Sequence, residues 1–411
     1  MKANVPEAGM PVVSKSDSQN SFPPLLYLAE GNSETSQSWS GSSRSLVRAL
    51  RAASAHVQTV DVLPGPLGKL LSIALSFHPN RTTWSARYHS GAAVYAIRSA
   101  KARRAARKLP PQGAVLQNGA TFSPGSLGGR SLFFYCDGNA AFAARGRPYS
   151  SVSGMSEVAL QRVIDRERRL YERATAVFTF SEALRRSFID DFGLSPERVV
   201  TVYGGSNLPL VPQNDVLEHS RLGPPTILFV GRAFERKGGP DLLEAFSLVR
   251  SSIPDARLII AGASPEIAVG REGVEVVGYV DPTRTGPGSL NELYSRADIF
   301  CLPSRYEPFG VVFVEAMLHG VPCVGSRAWA MPEIITENKT GWLAPPGAVE
   351  QLAAILIHAF RDRQQLRSMG ARGRADALSR FTWARVAQTM MSSICEWSSV
   401  PRSKPIEGSG K

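Results

Sequence analysis

From residue 25 onward, short apolar runs alternate with stretches whose apolar residues recur at helical spacing. Leu25-Leu26-Tyr27-Leu28-Ala29 is apolar throughout; a Gly/Ser loop follows, then a helical pattern from about Ser43 to Ala53. Comparable runs occupy 56–62, 114–118, 132–136, 176–180 and 199–203, with helical patterns between several of them. The stretch 208–225 is rich in Pro and turn formers, and a new run, Thr226-Ile227-Leu228-Phe229-Val230, starts directly after it. Beyond it the pattern predicts helix 239–252, strands 257–261 and 274–277, helix 289–296, strand 298–302, helix 309–319, strand 321–325, and helices to about residue 397. Uniformly apolar strands of this length, separated by helices, belong to parallel sheets covered on both faces. The chain is therefore α/β: two αβα domains in tandem, 25–215 and 216–397. The last helix is free to pack back on the first domain. A flexible segment, 1–24, precedes these domains and a disordered tail, 398–411, follows them. Ligands of such sheets bind at the carboxyl ends of the strands, so the expected site is a cleft between the domains.

Composition narrows the chemistry. At 411 residues, 43% hydrophobic and 20% charged, the chain is an ordinary globular protein rather than a disordered, collagen-like or coiled-coil one. Its formal net charge of +12 favours anionic partners. The cysteines Cys136, Cys301, Cys323 and Cys395 form no CxxC pair and have no His at ligand spacing, so they read as reduced core thiols and no metal site is expected. The first two dozen residues lack an apolar signal core, and no run reaches the ~18 apolar residues of a membrane span, which predicts a cytoplasmic chain.

Two constellations carry chemistry. Strand 226–230 runs into Gly231-Arg232-Ala233-Phe234-Glu235-Arg236-Lys237-Gly238, in which the glycines let the backbone turn at the strand end and Arg232 and Lys237 can reach one anion. The functional reading is a diphosphate clamp; the bland one is a basic loop solvated by water. The second constellation is Pro303-Ser304-Arg305-Tyr306-Glu307-Pro308-Phe309-Gly310-Val311-Val312-Phe313-Val314-Glu315. Pro308 is placed to open a helix, leaving Glu307 in the loop and Glu315 about two turns in. Free N–H groups of Phe309 to Val311 would favour phosphate or polar sugar oxygens. Two carboxylates there suit sugar hydroxyls, while a helix cap and dipole complement is the structural alternative.

In order and spacing, Gly231-Arg232 with Lys237, Gly278-Tyr279-Val280 and Pro303-Ser304 to Glu315 resemble the G-R-x-K loop, G-x-V turn and E-x7-E motif of the retaining glycosyltransferases of family four. The resemblance is strong over about 226–395. In the N-terminal half it is weak, resting on Trp39-Ser40-Gly41, Phe180-Ser181-Glu182 and Val202 to Asn207. It implies the GT-B fold, two Rossmann-like αβα domains facing each other across a cleft. It also implies transfer of a sugar from a UDP- or GDP-sugar to a glycan or lipid-linked acceptor, with retention and without a metal or other cofactor. By the same resemblance Arg232 and Lys237 would hold the diphosphate, Glu307 the transferred sugar and Glu315 the ribose. Phe309 and Gly310 would present backbone N–H groups to the sugar, Val280 would meet the base, and Ser304 would line the pocket with Gly231. Gly41 would admit the donor phosphates close to the first domain. Where many members carry a His, this chain has Asp137 at the end of the run 132–136, as a substitute or as a helix cap.

A basic run, Arg98, Lys101, Arg103, Arg104, Arg107 and Lys108, reads either as a solvated helix or as a contact with anionic lipid at the inner face of the membrane. No nucleic-acid motif accompanies it. Readings from other classes are a catalytically silent nucleotide-sugar-binding regulator, an anionic-surface interaction protein, and an epimerase on the same fold.

Overall fold

The structure is a computed structural model and describes residues 22–35, 38–53, 56–210 and 223–399. The segment 1–21, the tail 400–411 and the predicted domain boundary at 215/216 lie outside the described residues. The strands are β1 (Leu25–Ala29), β2 (Val57–Asp61), β3 (Ala114–Asn118), β4 (Ser131–Cys136), β5 (Ala176–Thr179), β6 (Val199–Thr201), β7 (Thr226–Val230), β8 (Arg257–Ala261), β9 (Val274–Gly278), β10 (Ile299–Leu302), β11 (Cys323–Ser326) and β12 (Gly341–Ala344). They form two six-stranded sheets, ordered β2-β1-β3-β4-β5-β6 and β12-β11-β10-β7-β8-β9. Every pairing is parallel. This is the GT-B architecture. The region 341–344, which pattern alone placed among C-terminal helices, is the edge strand β12.

Side chains alternate across the first sheet and so divide its core in two. Leu25, Tyr27, Leu116, Phe133, Tyr135 and Phe178 pack on one face. Their neighbours Leu26, Leu28, Val115, Phe134 and Val177 pack on the other. The first of these cores runs on without a break into that of the second sheet. The last helix, Trp383–Ser399, packs back on the first domain, on helix Ser42–Ala52 and on β4, with Trp397 stacked 6.3 Å from Phe133. Its Trp383 indole N–H donates to the Ser206 carbonyl at 2.8 Å. A second tie is polar: the Glu333 carboxylate accepts the free N–H groups of Glu182 and Ala183 at 2.6 and 2.7 Å, capping helix Glu182–Asp190 from the opposite domain.

Cys136, Cys301 and Cys323 are buried free thiols. No helix among the described residues is long and apolar enough to cross a membrane. One expectation is corrected here. Arg98, read as part of an exposed basic face, is 1% exposed and pairs with Glu30 at 3.1 Å, while its guanidinium donates to the His89 carbonyl at 3.0 Å. A partner from the end of β1 draws it inward, whereas Lys101, Arg103, Arg104, Arg107 and Lys108 are exposed.

Candidate active site

In each sheet the chain reverses its direction of winding once, between β1 and β3 and between β7 and β10. Loops leaving such neighbouring strands diverge and open a crevice. The loop after β7 carries Gly231 to Lys237, and the loop after β10 carries Pro303 to Glu307. Two glycines let these loops meet. A Cβ on Gly231 would lie 2.2 Å from Lys237 Cδ, so the lysine stem crosses directly over this residue. A Cβ on Gly238, whose φ is +75°, would lie 2.0 Å from the Pro303 carbonyl oxygen. No other residue fits either place without displacing the clamp.

Lys237 Nζ donates to Glu307 Oε2 at 2.8 Å, with the Arg236 guanidinium 3.7 Å from the same oxygen. Burial alone would raise the Glu307 pKa, but Lys237 and Arg236 outweigh it and hold the carboxyl below its usual range. Lys237 retains two further N–H donors. Arg232 is exposed on the same loop, its guanidinium 5.4 Å from the Tyr279 ring centroid.

The helix after β10 spans Val311–Leu318, with Gly310 as N-cap in the left-handed region at φ 93°. It begins three residues later than Pro308 suggested, because that conformation at Gly310 interrupts the turn. Glu315 therefore lies just over one turn in, closer to the free N–H groups than expected. It is 6% exposed, and burial pushes its pKa up to about 7 against the Tyr294 hydroxyl, which donates to Oε2 at 3.2 Å, and the Asn207 backbone N–H.

The first domain supplies the opposite wall. Asp137 follows β4, and burial raises its pKa even though the Trp39 indole N–H donates to Oδ2 at 2.9 Å. Trp39, Ser40 and Gly41 all take positive φ, at 49°, 54° and 89°. Such a run in non-glycine residues persists only when neighbours hold it. Asn207 does so, donating from Nδ2 to the Ser40 carbonyl at 2.9 Å and to Ser42 Oγ at 3.1 Å. Trp39 packs edge-on against Phe180, 4.9 Å away, and Phe180 against Phe309, 5.4 Å away, so one aromatic row joins the two walls.

Between the walls lies a cleft of about 920 Å³. It is lined by Asp137 from one domain and by Gly231, Arg232, Lys237, Val280 and Glu307 from the other. Phe309, Gly310, Val311 and Glu315 complete its floor. Two predicted residues fall outside this lining. Ser304 is fully buried and is not part of the lining, and its hydroxyl has no hydrogen-bond partner. Gly41 stands behind Ser40 and Ser42, which do line the cleft. Sequence reasoning gave no separate role to Arg236, Asn207, Tyr294 or the Trp39 indole. Only Arg236, adjacent to Lys237, carried a local signal; the others act through partners distant in the chain.

Arg232 and Lys237 from the loop after β7, and Glu307 and Glu315 from the loop and helix after β10, thus face one cleft. Residues 215–376 match the family Glycosyl transferases group 1. This group 1 region contains both loops and both glutamates. Over 179 residues the chain is 31% identical to a GDP-mannose-dependent alpha-(1-6)-phosphatidylinositol monomannoside mannosyltransferase of Mycobacterium tuberculosis, covering 41% of this chain and 46% of that one. The chain spans about half to just under two thirds of the length of the curated relatives it matches. Among solved structures, a sucrose-phosphate synthase from Thermosynechococcus elongatus superposes with a TM-score of 0.68 at 20% identity, covering 91% of this chain and 98% of that one. HepE of Anabaena, in complex with UDP-glucose, does so with a TM-score of 0.61 at 18% identity, covering 91% and 99%.

The raised Glu315 pKa has a measurable consequence. If a carboxyl with a pKa of about 7 must be ionised to bind its ligand, binding near pH 6 releases a proton. Nucleoside diphosphate affinity should therefore rise about 10-fold from pH 6 to pH 8 as the binding-competent carboxylate becomes populated. Calorimetric titration at both values checks this, with Glu315→Gln expected to remove most of the pH dependence. An identical slope in that variant would assign the effect to the phosphate instead.

Proposed function

We propose that this chain is a glycosyltransferase moving a sugar from a UDP- or GDP-sugar to a glycan or lipid-linked acceptor, with retention at the anomeric carbon. The observation that carries the reading is the convergence of Arg232, Lys237, Glu307 and Glu315 on one interdomain cleft. Its chemistry follows from charge. The departing nucleoside diphosphate gains negative charge as the glycosidic bond breaks, and Arg232 with the two free donors of Lys237 stabilise it there. Glu307, oriented by its lysine, accepts hydroxyl hydrogen bonds from the transferred sugar. Glu315 accepts those of the ribose, and Val280 meets the base. Asp137 faces the sugar from the other wall. The acceptor enters along the first domain. Retention is supported by the resemblance of Gly231 to Glu315 to the family-four motifs.

Because two cations serve the diphosphate, the reaction needs no divalent metal. Among the described residues, no group of three or more His, Cys, Asp or Glu is positioned to hold one. Release of nucleoside diphosphate from a panel of UDP- and GDP-sugars, with simple glycosides and lipid-linked glycans as acceptors, tests the function. Activity with one donor should persist at its full rate in excess EDTA. Complete loss that magnesium restores would contradict the metal-independent mechanism, and no release or transfer with any donor would contradict the function.

A further inference from the structure

Helix Pro66–Ser76 is inside out. Its Leu67, Leu70, Leu71 and Leu75 are 83%, 66%, 51% and 58% exposed, and Phe77 directly after it is 62% exposed. The side turned toward the protein consists of Gly68, Ser72 and Ser76, at i, i+4 and i+8. Ser72 and Ser76 are buried and their hydroxyls donate back to the Gly68 and Ser72 carbonyls. Gly68 sits close to the chain behind it, since a Cβ there would meet Pro64 at 3.0 Å and Ile97 at 3.7 Å. A helix folded for water alone turns its leucines inward and its serines out.

The surroundings specify what covers this face. Helices Arg81–Ser90 and Ala92–Ala106 both pack against it, and they expose Arg81 and Arg87 on the one and Lys101 and Arg104 on the other. Lys101 Nζ is tied to the Leu63 carbonyl at 2.9 Å, at the root of the helix, and Lys69 is exposed on the helix itself. No Asp or Glu occurs between Asp61 and Asp137, whereas ten Lys and Arg do. An apolar ridge flanked by cations and free of acids complements an anionic bilayer: leucines below the headgroups, cations among the phosphates.

We propose that Pro66–Ser76 is a membrane-surface anchor that seats its leucine ridge in the interface of an anionic bilayer. Ser90, at the end of a helix packed on the anchor, lines the cleft, so docking brings the first-domain side of the cleft to the lipid surface. The contact is independent of sugar transfer. Flotation of the full chain with vesicles of phosphatidylcholine alone, and of phosphatidylcholine with ~30% phosphatidylglycerol, tests it. The protein should float with the anionic vesicles, weakly with the neutral ones, and less as salt rises. The triple variant Leu70→Ser, Leu71→Ser, Leu75→Ser should lose at least ~10-fold in partitioning while keeping its melting temperature, since these side chains are already in water. Wild-type protein that stays with the solvent fraction, or a triple variant that floats equally well, would overturn the proposal. So would self-association that depends on the leucines without vesicle binding, which would make a second copy the occupant.

Discussion

Lys237→Met should lower sugar transfer by about 10²-fold or more, equivalent to at least about 2.7 kcal/mol of lost transition-state stabilisation. The same change removes the nearest partner of a buried carboxylate, leaving Glu307 with the Arg236 guanidinium at 3.7 Å. Breaking a buried pair from one side costs about 3 to 5 kcal/mol of stability, so lost activity in this variant alone would be ambiguous. The double variant Lys237→Met/Glu307→Gln resolves it through nucleoside diphosphate affinity: removing both charges should restore most of the melting temperature while diphosphate binding stays as weak as in the single variant. Recovery of diphosphate affinity along with stability would make Lys237 a structural counter-ion only. Arg232→Ala offers a cleaner companion, because Arg232 is exposed and has no ion pair among the described residues to leave behind. It should slow transfer comparably with no change in melting temperature.

Glu307→Gln is the second large effect and should act in the opposite manner on binding. It keeps the side chain's shape, frees Lys237 for the phosphates, and leaves nucleoside diphosphate affinity unchanged or modestly improved. Transfer should fall about 10²-fold, because a charge-assisted acceptor for the sugar hydroxyls is lost where the transition state forms. Discrimination between sugars on one nucleotide should relax as well. Titration with diphosphate, set beside initial rates, separates the two quantities. Equal losses of diphosphate affinity in Glu307→Gln and Glu315→Gln would mean that both carboxylates merely support the helix start.

In the second sheet β7, β8 and β10 were legible because they are almost wholly buried and so nearly uninterrupted in apolar residues; 226–230 and 257–261 match β7 and β8 residue for residue. β12 was not legible: Gly341-Trp342-Leu343-Ala344 is four residues long, begins with glycine and is followed by two prolines, so its identity comes from pairing with β11. Arg232, Lys237 and Glu307 could be found because each lies in a loop directly after a strand, and Glu315 because it lies in the helix that follows one of those loops. What holds them could not. The Trp39 indole reaches Asp137 across 98 positions, and Asn207 reaches the 38–42 loop across more than 160. Arg98 shows the same limit in reverse, since six basic residues in eleven look solvated until Glu30 draws the first of them inside. The inverted helix 66–76 is hidden for a related reason. Its leucine spacing is that of any amphipathic helix, and only the packing shows which side faces out.

The central claim is that the cleft binds a nucleoside diphosphate through the loop after β7. Calorimetric titration of UDP and GDP into the wild-type chain and into Arg232→Ala/Lys237→Met/Glu307→Gln, a variant without a stranded carboxylate, tests it most directly. The wild type should bind at least one of them, and the variant should bind it at least ~100-fold more weakly with its fold intact. A variant that binds as tightly as the wild type, or a wild type that binds neither, would contradict the account.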